Sequence, residues 1–145
     1  MRVIVQRVKK AKCIIDNKTY SEINQGFMLL VGFTHSDTKV VVDKMIKKII
    51  NLRVFEDENG KMNLNINQVS GEILSISQFT LYANTNDGNR PSFVNAMHPD
   101  QATLLYDYFN QEMGKLIPLK TGVFGANMDI DFINNGPSTF ILEFN

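Results

Sequence analysis

The stretch "FMLLVGF", residues 27–33, is apolar on both faces, so as a strand it has to be covered on both sides. Such a strand belongs in the middle of a layered fold, and the rest of the chain supplies candidate layers. Residues 2–15, "RVIVQRVKKAKCII", are β-rich at both ends; Asp16-Asn17 is a hairpin signal, and 18–24 returns as a strand. Asp37 is placed to cap a helix over about 38–52, with Val41, Met45, Ile46 and Ile49 on one stripe. "VFEDENGKMNLNI" reads strand, turn, strand, the turn running from Asp57 to Gly60. His98-Pro99-Asp100 opens a second helix, about 100–114, with Leu104, Leu105, Tyr108 and Phe109 turned inward. "TGVFG", "NMDIDFIN" and "STFILEF" read as three more strands, the last two separated by Asn135-Gly136-Pro137. Two helices among many strands predict a mixed α/β fold, with the helices on one side of curved or paired sheets. Strands joined by short turns should pair antiparallel.

The 145 residues are 43% hydrophobic, enough for a substantial core, and no linker or repeat divides them, so residues 1–145 read as one domain. No apolar run approaches the roughly 18 residues that would span a membrane. The first residues are too charged for a secretion signal, and the lone Cys13 excludes an internal disulfide, which makes the cytoplasm the expected compartment. Fifteen basic and fifteen acidic residues cancel, which argues against binding nucleic acid by bulk charge. The basic residues are nonetheless clustered. Arg2, Arg7, Lys9, Lys10, Lys12 and Lys18 crowd the first strand pair, and Lys44, Lys47 and Lys48 fall at helical spacing. On their own these are solvated strand ends and a solvated helix face.

"SISQFTLYAN", Ser75 to Asn84, reads as part of a strand over 72–82, yet Ser77, Gln78 and Thr80 sit inside it. A buried polar group without a partner costs roughly 1–3 kcal/mol. Alternation puts Gln78 and Thr80 on one face, and Ser77 and Phe79 on the other. Two readings stand. Either the hydroxyls satisfy neighbouring carbonyls at an exposed edge, or the segment lines a pocket whose amide, hydroxyl and backbone N–H groups could stabilise an oxyanion. Thr80 is the nucleophile candidate by chemistry, but no base is visible to activate it. His35 and His98 are far apart in sequence and no cysteine pair exists, so neither a metal nor a triad is expected. No phosphate-cradling glycine loop precedes a helix, so no nucleotide cofactor is expected. "GNRPSF", 88–93, lies in the longest loop, and "NNGPST", 134–139, is by itself an ordinary turn.

Taken together, "SQFTLYA", "RPSF" and "NNGPST" resemble the D-aminoacyl-tRNA deacylase family, as do "QRV" at 6–8, "GFTHSDT" at 32–38, "NLRVFEDENGKMNLN" at 51–65 and "TGVFGANM" at 121–128. The resemblance is collinear and covers essentially the whole chain. It implies a homodimer of three-layer α/β/β subunits with mostly antiparallel mixed sheets and two main helices, and active sites at the subunit interface. It implies hydrolysis of the ester joining a D-amino acid to tRNA, clearance of mischarged glycyl-tRNA, and rejection of L-aminoacyl-tRNA, with no cofactor, metal or membrane.

By the same resemblance Ser77, Gln78, Phe79 and Thr80 line the catalytic pocket, and Gly136-Pro137, joined by a cis peptide, reaches into the partner's pocket. Its carbonyls would hold the substrate's ammonium, so that an L side chain meets rigid backbone while a D side chain points to solvent. Arg7 would support that element, and Phe124 and Gly125 would shape the wall; otherwise these are a surface arginine, a core aromatic and a turn glycine. Two mechanisms are open: attack by Thr80, or hydrolysis by water assisted by the tRNA's terminal 2′-OH with backbone oxyanion donors. The second is favoured by the missing base. Two departures stand out: the loop "NTNDGN" leaves Arg90 as its one cation where relatives are often basic, and Ser138 replaces a common aliphatic residue. The rival reading is a non-catalytic nucleic-acid-binding dimer on the same scaffold.

Overall fold

The computed structural model describes residues 1–145. Strand β1 (Arg2–Ile15) turns through Asp16 and Asn17, both at positive φ (50° and 62°), into β2 (Lys18–Ile23). Two left-handed residues give the turn a twist that matches the flanking strands, and Asp and Asn tolerate that conformation. β3 (Gly26–Gly32) follows, then helix α1 (Lys39–Ile50). The short hairpin β4 (Phe55–Glu56) and β5 (Met62–Leu64) precedes β6 (Glu72–Ser77). Helix α2 (Pro99–Gly114), β7 (Leu119–Thr121) and the long β8 (Asp129–Glu143) complete the chain. The main sheet runs β2-β1-β3-β6-β7, with β8 on the other edge of β1. Pairing is antiparallel around β1, while β3-β6 and β6-β7 are parallel. Each parallel pair is separated in sequence by a helix, as crossover connections require.

β3 is covered on both faces. Phe27, Leu29 and Val31 join Val41, Val42, Met45, Ile46 and Ile49 of α1 in one core, while Met28 joins Leu74 and Ile76 of β6 in another. β1 serves both cores by changing phase. Val3 and Val5 face the helices, but after the register shift between Val8 and Lys10 it is Ala11 and Cys13 that point into the second core. The sheet thereby folds over itself, and Ser21 Oγ on β2 donates to the Thr121 carbonyl on β7 at 2.8 Å. Helices, central strands and returning strands make the three α/β/β layers. No helix is long and apolar enough to cross a membrane.

Four expectations are corrected. The strand over 72–82 stops at Ser77, and Phe79–Tyr82 is a 3-10 turn, so no strand alternation orders Gln78, Phe79 and Thr80. Asp37 does not cap α1, whose N-cap is Thr38; its carboxylate accepts from the Met1 amine and the Thr34 N–H instead. α2 buries Ala102, Tyr106, Phe109 and Met113, leaving Leu105 and Tyr108 at the margin and Leu104 out in solvent, 69% exposed. The three last strands are one short strand and one of 15 residues.

The last correction has a specific cause. Between the pairs Gln6↔Thr139 and Val8↔Asn134, β1 contributes only Arg7, whereas β8 contributes Asn135 through Ser138. Those four residues bulge out of an otherwise continuous strand.

Tyr106 links α2 to β6 by donating from its hydroxyl to the Ser75 carbonyl at 2.7 Å, and burial pushes its pKa up. That carbonyl also accepts from the Gly122 N–H at 3.0 Å. Tyr106→Phe therefore leaves the acceptor satisfied and should cost only about 1 kcal/mol. Thermal unfolding should shift down by about 3–4 °C; a fall several times larger would mean that the hydroxyl also positions α2.

Candidate active site

The site is built where β6 ends. Gln78 makes a last sheet bond, its N–H to the Val31 carbonyl at 2.7 Å, and the chain then closes into the 3-10 turn through Leu81 N–H to Gln78 O. What permits the turn is Gly32, on the neighbouring strand. A Cβ at that position would lie 2.8 Å from Gln78 O and 3.1 Å from Leu81 Cβ, so the turn lies directly against bare backbone. Arg2 secures the far end. Its guanidinium donates to the Leu81 carbonyl at 2.5 Å, sits 4.9 Å over the Tyr82 ring, and pairs with Glu143 at 3.0 Å. Tyr82 Oη is buried without a partner, and desolvation, reinforced by Asp37 and Glu143, pushes its pKa up to about 12, so it stays neutral.

Ser77, Gln78 and Phe79 separate two hollows. The larger, about 550 Å³, lies between them and the 93–99 segment, with Val31, Gly32 and Phe33 behind. The smaller, about 280 Å³, is bounded by Ile76, Ala126, Asn127, Met128 and Ile130. Phe124 and Gly125 line both. The long polar loop forms one wall of the larger hollow because it is pinned at several points. Asn84 and Ser92 exchange backbone bonds at 2.7 and 2.9 Å, Met97 N–H reaches the Phe33 carbonyl at 3.0 Å, and Thr34 Oγ1 donates to Asn95 O at 2.7 Å. His35 Nε2 donates to Val94 O at 2.7 Å.

The expected pocket residues are thus partly brought together. Ser77, Gln78, Phe79, Phe124 and Gly125 share one place. Thr80 lines neither hollow; it is exposed, and its Oγ1 accepts a hydrogen bond from Gln78 Nε2. An amide cannot take a proton, so that contact does not make Thr80 a nucleophile. The Phe79 and Thr80 N–H groups take part in none of the turn and loop backbone bonds, as the start of a helical turn leaves them.

Arg7, Gly136 and Pro137 assemble elsewhere. Arg7 is 4% exposed; its Nε donates to Asn135 O at 3.1 Å and its Nη1 to Val54 O at 2.5 Å, with Glu56 at 3.8 Å. Gly136 and Pro137, joined by a cis peptide, stand exposed on the bulge of β8. Gly136 has φ +127°, and a Cβ there would lie 2.6 Å from Ser138 Oγ and 3.2 Å from Arg7 Nη2, so only glycine fits. Arg7 pairs with Phe27 on β3 while Ser77 pairs with Val31, four residues along the same strand. At about 3.3 Å per residue the two clusters are offset by about 13 Å along the sheet. Within one chain they do not share a pocket.

Sequence reasoning missed Gly32, Arg2, Phe93 and both histidines as neighbours of this site. "RPSF" flagged the loop that carries Phe93 and "GFTHSDT" the segment that carries Gly32 and His35, whereas Arg2 stood out only within a basic cluster; the roles of Arg2 and Gly32 depend on a turn made by another segment. No group of three or more His, Cys, Asp or Glu side chains is placed to hold a metal ion.

The model of the family described as "D-Tyr-tRNA(Tyr) deacylase" matches residues 4–143. A solved structure described as "c-Myc DNA Unwinding Element Binding Protein" is 38% identical, covers 100% of this chain and 99% of that one, and superposes with a TM-score of 0.95. A second, described as "Structural Analysis of a probable eukaryotic D-amino acid tRNA deacylase", is 17% identical over 97% of each chain, with a TM-score of 0.83. At that identity the second likeness speaks to the fold alone.

Proposed function

The chain belongs to the D-Tyr-tRNA(Tyr) deacylase family, and on that premise we propose that it hydrolyses the ester of D-aminoacyl-tRNA as a cytoplasmic homodimer. The observation that carries this reading is the departure of Gln78–Thr80 from the sheet. It leaves Ser77, Gln78 and Phe79 as the wall of open hollows and two backbone N–H groups free of turn bonds. Those N–H groups are the oxyanion donors for the ester carbonyl.

In the dimer, the exposed Gly136-Pro137 bulge of one subunit enters the partner's hollow, where its carbonyls hold the α-ammonium and its backbone excludes an L side chain. The offset of about 13 Å between the two clusters supports a second subunit as the source of the bulge. Glycine has nothing to exclude, so glycyl-tRNA is a substrate too. Water adds to the ester carbon, the bond to the ribose 3′-oxygen breaks, and that oxygen leaves with a proton passed through the neighbouring 2′-OH. The test is parallel deacylation of D-tyrosyl-, L-tyrosyl- and glycyl-tRNA. Loss of the D and glycyl esters with the L ester intact is expected; equal loss of D and L would remove the chiral filter.

Gly32→Ala offers a graded check on the wall. A methyl 2.8 Å from Gln78 O must push the turn outward, an overpacking cost of about 1–3 kcal/mol. Displacement of the oxyanion donors should lower kcat about tenfold with KM little changed. An unchanged kcat would mean that the turn's exact position is irrelevant to chemistry.

A second reading has one specific support, the 38% identity to a structure named for binding a DNA unwinding element. On that reading the scaffold binds nucleic acid without turning over an ester. Retention of tRNA or DNA with every ester intact would favour it.

A further inference from the structure

The turn that carries the Phe79 and Thr80 N–H groups has little to hold it in place from within. None of its four residues is buried, and the bonds at its two ends are Leu81 N–H to Gln78 O at 3.3 Å and Ala83 N–H to Thr80 O at 3.0 Å. A single 3-10 turn gains few bonds for the residues it orders, so its position is set from outside. At its start the Gln78 N–H is bound to β3, and at its end the Leu81 carbonyl accepts from Arg2 Nη1. Register places Arg2 for this: it pairs with Gly32 on one side of β1 and with Glu143 on the other. The bare Gly32 lets the turn settle within reach of Arg2, while Glu143 accepts from Nη2 through both carboxylate oxygens, at 3.0 and 3.2 Å. The Tyr82 ring, 4.9 Å from the guanidinium carbon, covers one face of the planar group. The guanidinium is therefore itself held on three sides.

We propose that Arg2 is a positioning residue for deacylation: braced by Glu143, it fixes the far end of the turn and so the placement of the Phe79 and Thr80 N–H groups against the ester carbonyl. The inference rests on the deacylase reading and extends it to a residue that lines neither hollow. A group that acts only on the placement of transition-state donors shows itself in kcat and leaves KM alone. The ion pair is also too open to matter much for global stability, with the Arg2 side chain 32% exposed and that of Glu143 42%. A large loss of rate without a matching loss of stability is the signature that separates positioning from simple support of the fold.

The test compares Arg2→Met, which keeps an unbranched stem without a donor, with Arg2→Lys, which keeps a charged donor, in D-tyrosyl-tRNA deacylation. A displacement of about 1 Å in positioned groups costs up to about 100-fold. Arg2→Met should lower kcat about 10- to 100-fold, with KM within about twofold of wild type and thermal unfolding lowered by no more than about 3 °C. Arg2→Lys should recover part of the loss, since an ammonium serves one of the two acceptors. Glu143→Gln still accepts from the guanidinium and should stay within about threefold of wild type. Amide exchange reads the same turn without substrate. The Leu81 and Ala83 N–H groups should exchange about tenfold faster in Arg2→Met, and the Gln78 N–H on the sheet at its wild-type rate. A normal kcat in Arg2→Met would overturn the proposal, and so would a lowered kcat with turn exchange unchanged. A raised KM with normal kcat would make Arg2 a contact for the tRNA and overturn it too. If the wild-type protein hydrolyses no D ester, the deacylase reading falls and the positioning role with it, whatever the exchange rates show.

Discussion

Arg7→Ala should lose more than about 100-fold in D-tyrosyl-tRNA deacylation, well beyond what its loss of stability accounts for. The guanidinium is nearly buried and donates to two carbonyls, Val54 O and Asn135 O, with Glu56 close to its third nitrogen. Hydrogen bonds from a charged donor are worth about 1.5–3 kcal/mol each, so removal should cost about 3–5 kcal/mol. A domain of this size can lose that much and still fold, with thermal unfolding lowered by about 10–15 °C. The activity falls further because Arg7 is the one β1 residue opposite the four-residue bulge and donates to Asn135 O within it, whereas Gln6 holds only the flanking Asn134 and Thr139. Arg7→Lys should recover little, since a single ammonium cannot serve two diverging carbonyls.

Mixing supplies the sharper measurement. An Arg7→Ala subunit has an intact hollow and a loose bulge; a Gly32→Phe subunit, whose added side chain has no room against Gln78 O and Leu81, has the reverse. If each site takes its hollow from one subunit and its bulge from the other, the heterodimer contains one site with both parts intact. Activity should reappear on mixing two inactive proteins, toward about a quarter of the wild-type level for random exchange. No recovery, with exchange verified, would place both parts of the site in one chain.

How much of this was legible beforehand follows from the range of the interactions involved. The α1 stripe, the covered β3 and the Asp16-Asn17 turn were readable because each is set by local period or by residues that tolerate positive φ. "FTLY" was misread as strand because its residues favour a strand; what folds it into a turn is Gly32, more than forty positions earlier and on another strand. The split of β8 into two strands was misread for the opposite reason. Gly136-Pro137 carries a strong local turn signal, but β1 resumes pairing on both sides of it, so the strand continues around a bulge. For α2, the apolar residues are spread widely enough that Leu104 looked as suitable as Tyr106, and only the position of α1 and β6 selects the buried face. The candidate site divides in the same way. Its motifs could be recognised one by one, whereas the two hollows and the separation of Arg7 from Gln78 exist only in three dimensions.

The second large effect concerns the substrate. D-tyrosyl-tRNA ending in 2′-deoxyadenosine, with the ester on the 3′-oxygen, should be hydrolysed about 10²–10⁴-fold more slowly than the natural ester. The reasoning starts from Thr80. Its hydroxyl is exposed and bonded to the Gln78 amide, and its side chain has no hydrogen bond to a carboxylate or an imidazole. The two histidines line the larger hollow, which Thr80 does not, and the Tyr82 phenol is held neutral by a pKa near 12. With no protein group placed to receive the proton, the ribose 2′-OH adjoining the ester is the nearest group able to relay it, and the protein's part is to hold the carbonyl against the Phe79 and Thr80 N–H groups. Because the missing hydroxyl acts in the transition state, the fall should appear in kcat with KM nearly unchanged. Thr80→Ala on the natural ester should stay within about tenfold of wild type, because it keeps the backbone donor and loses only the hydroxyl. The opposite pair of results, a deoxy ester hydrolysed at the normal rate and an inert Thr80→Ala protein that forms no acyl intermediate where wild type does, would make Thr80 the nucleophile. That outcome would require the base absent from this arrangement to arrive with the partner subunit.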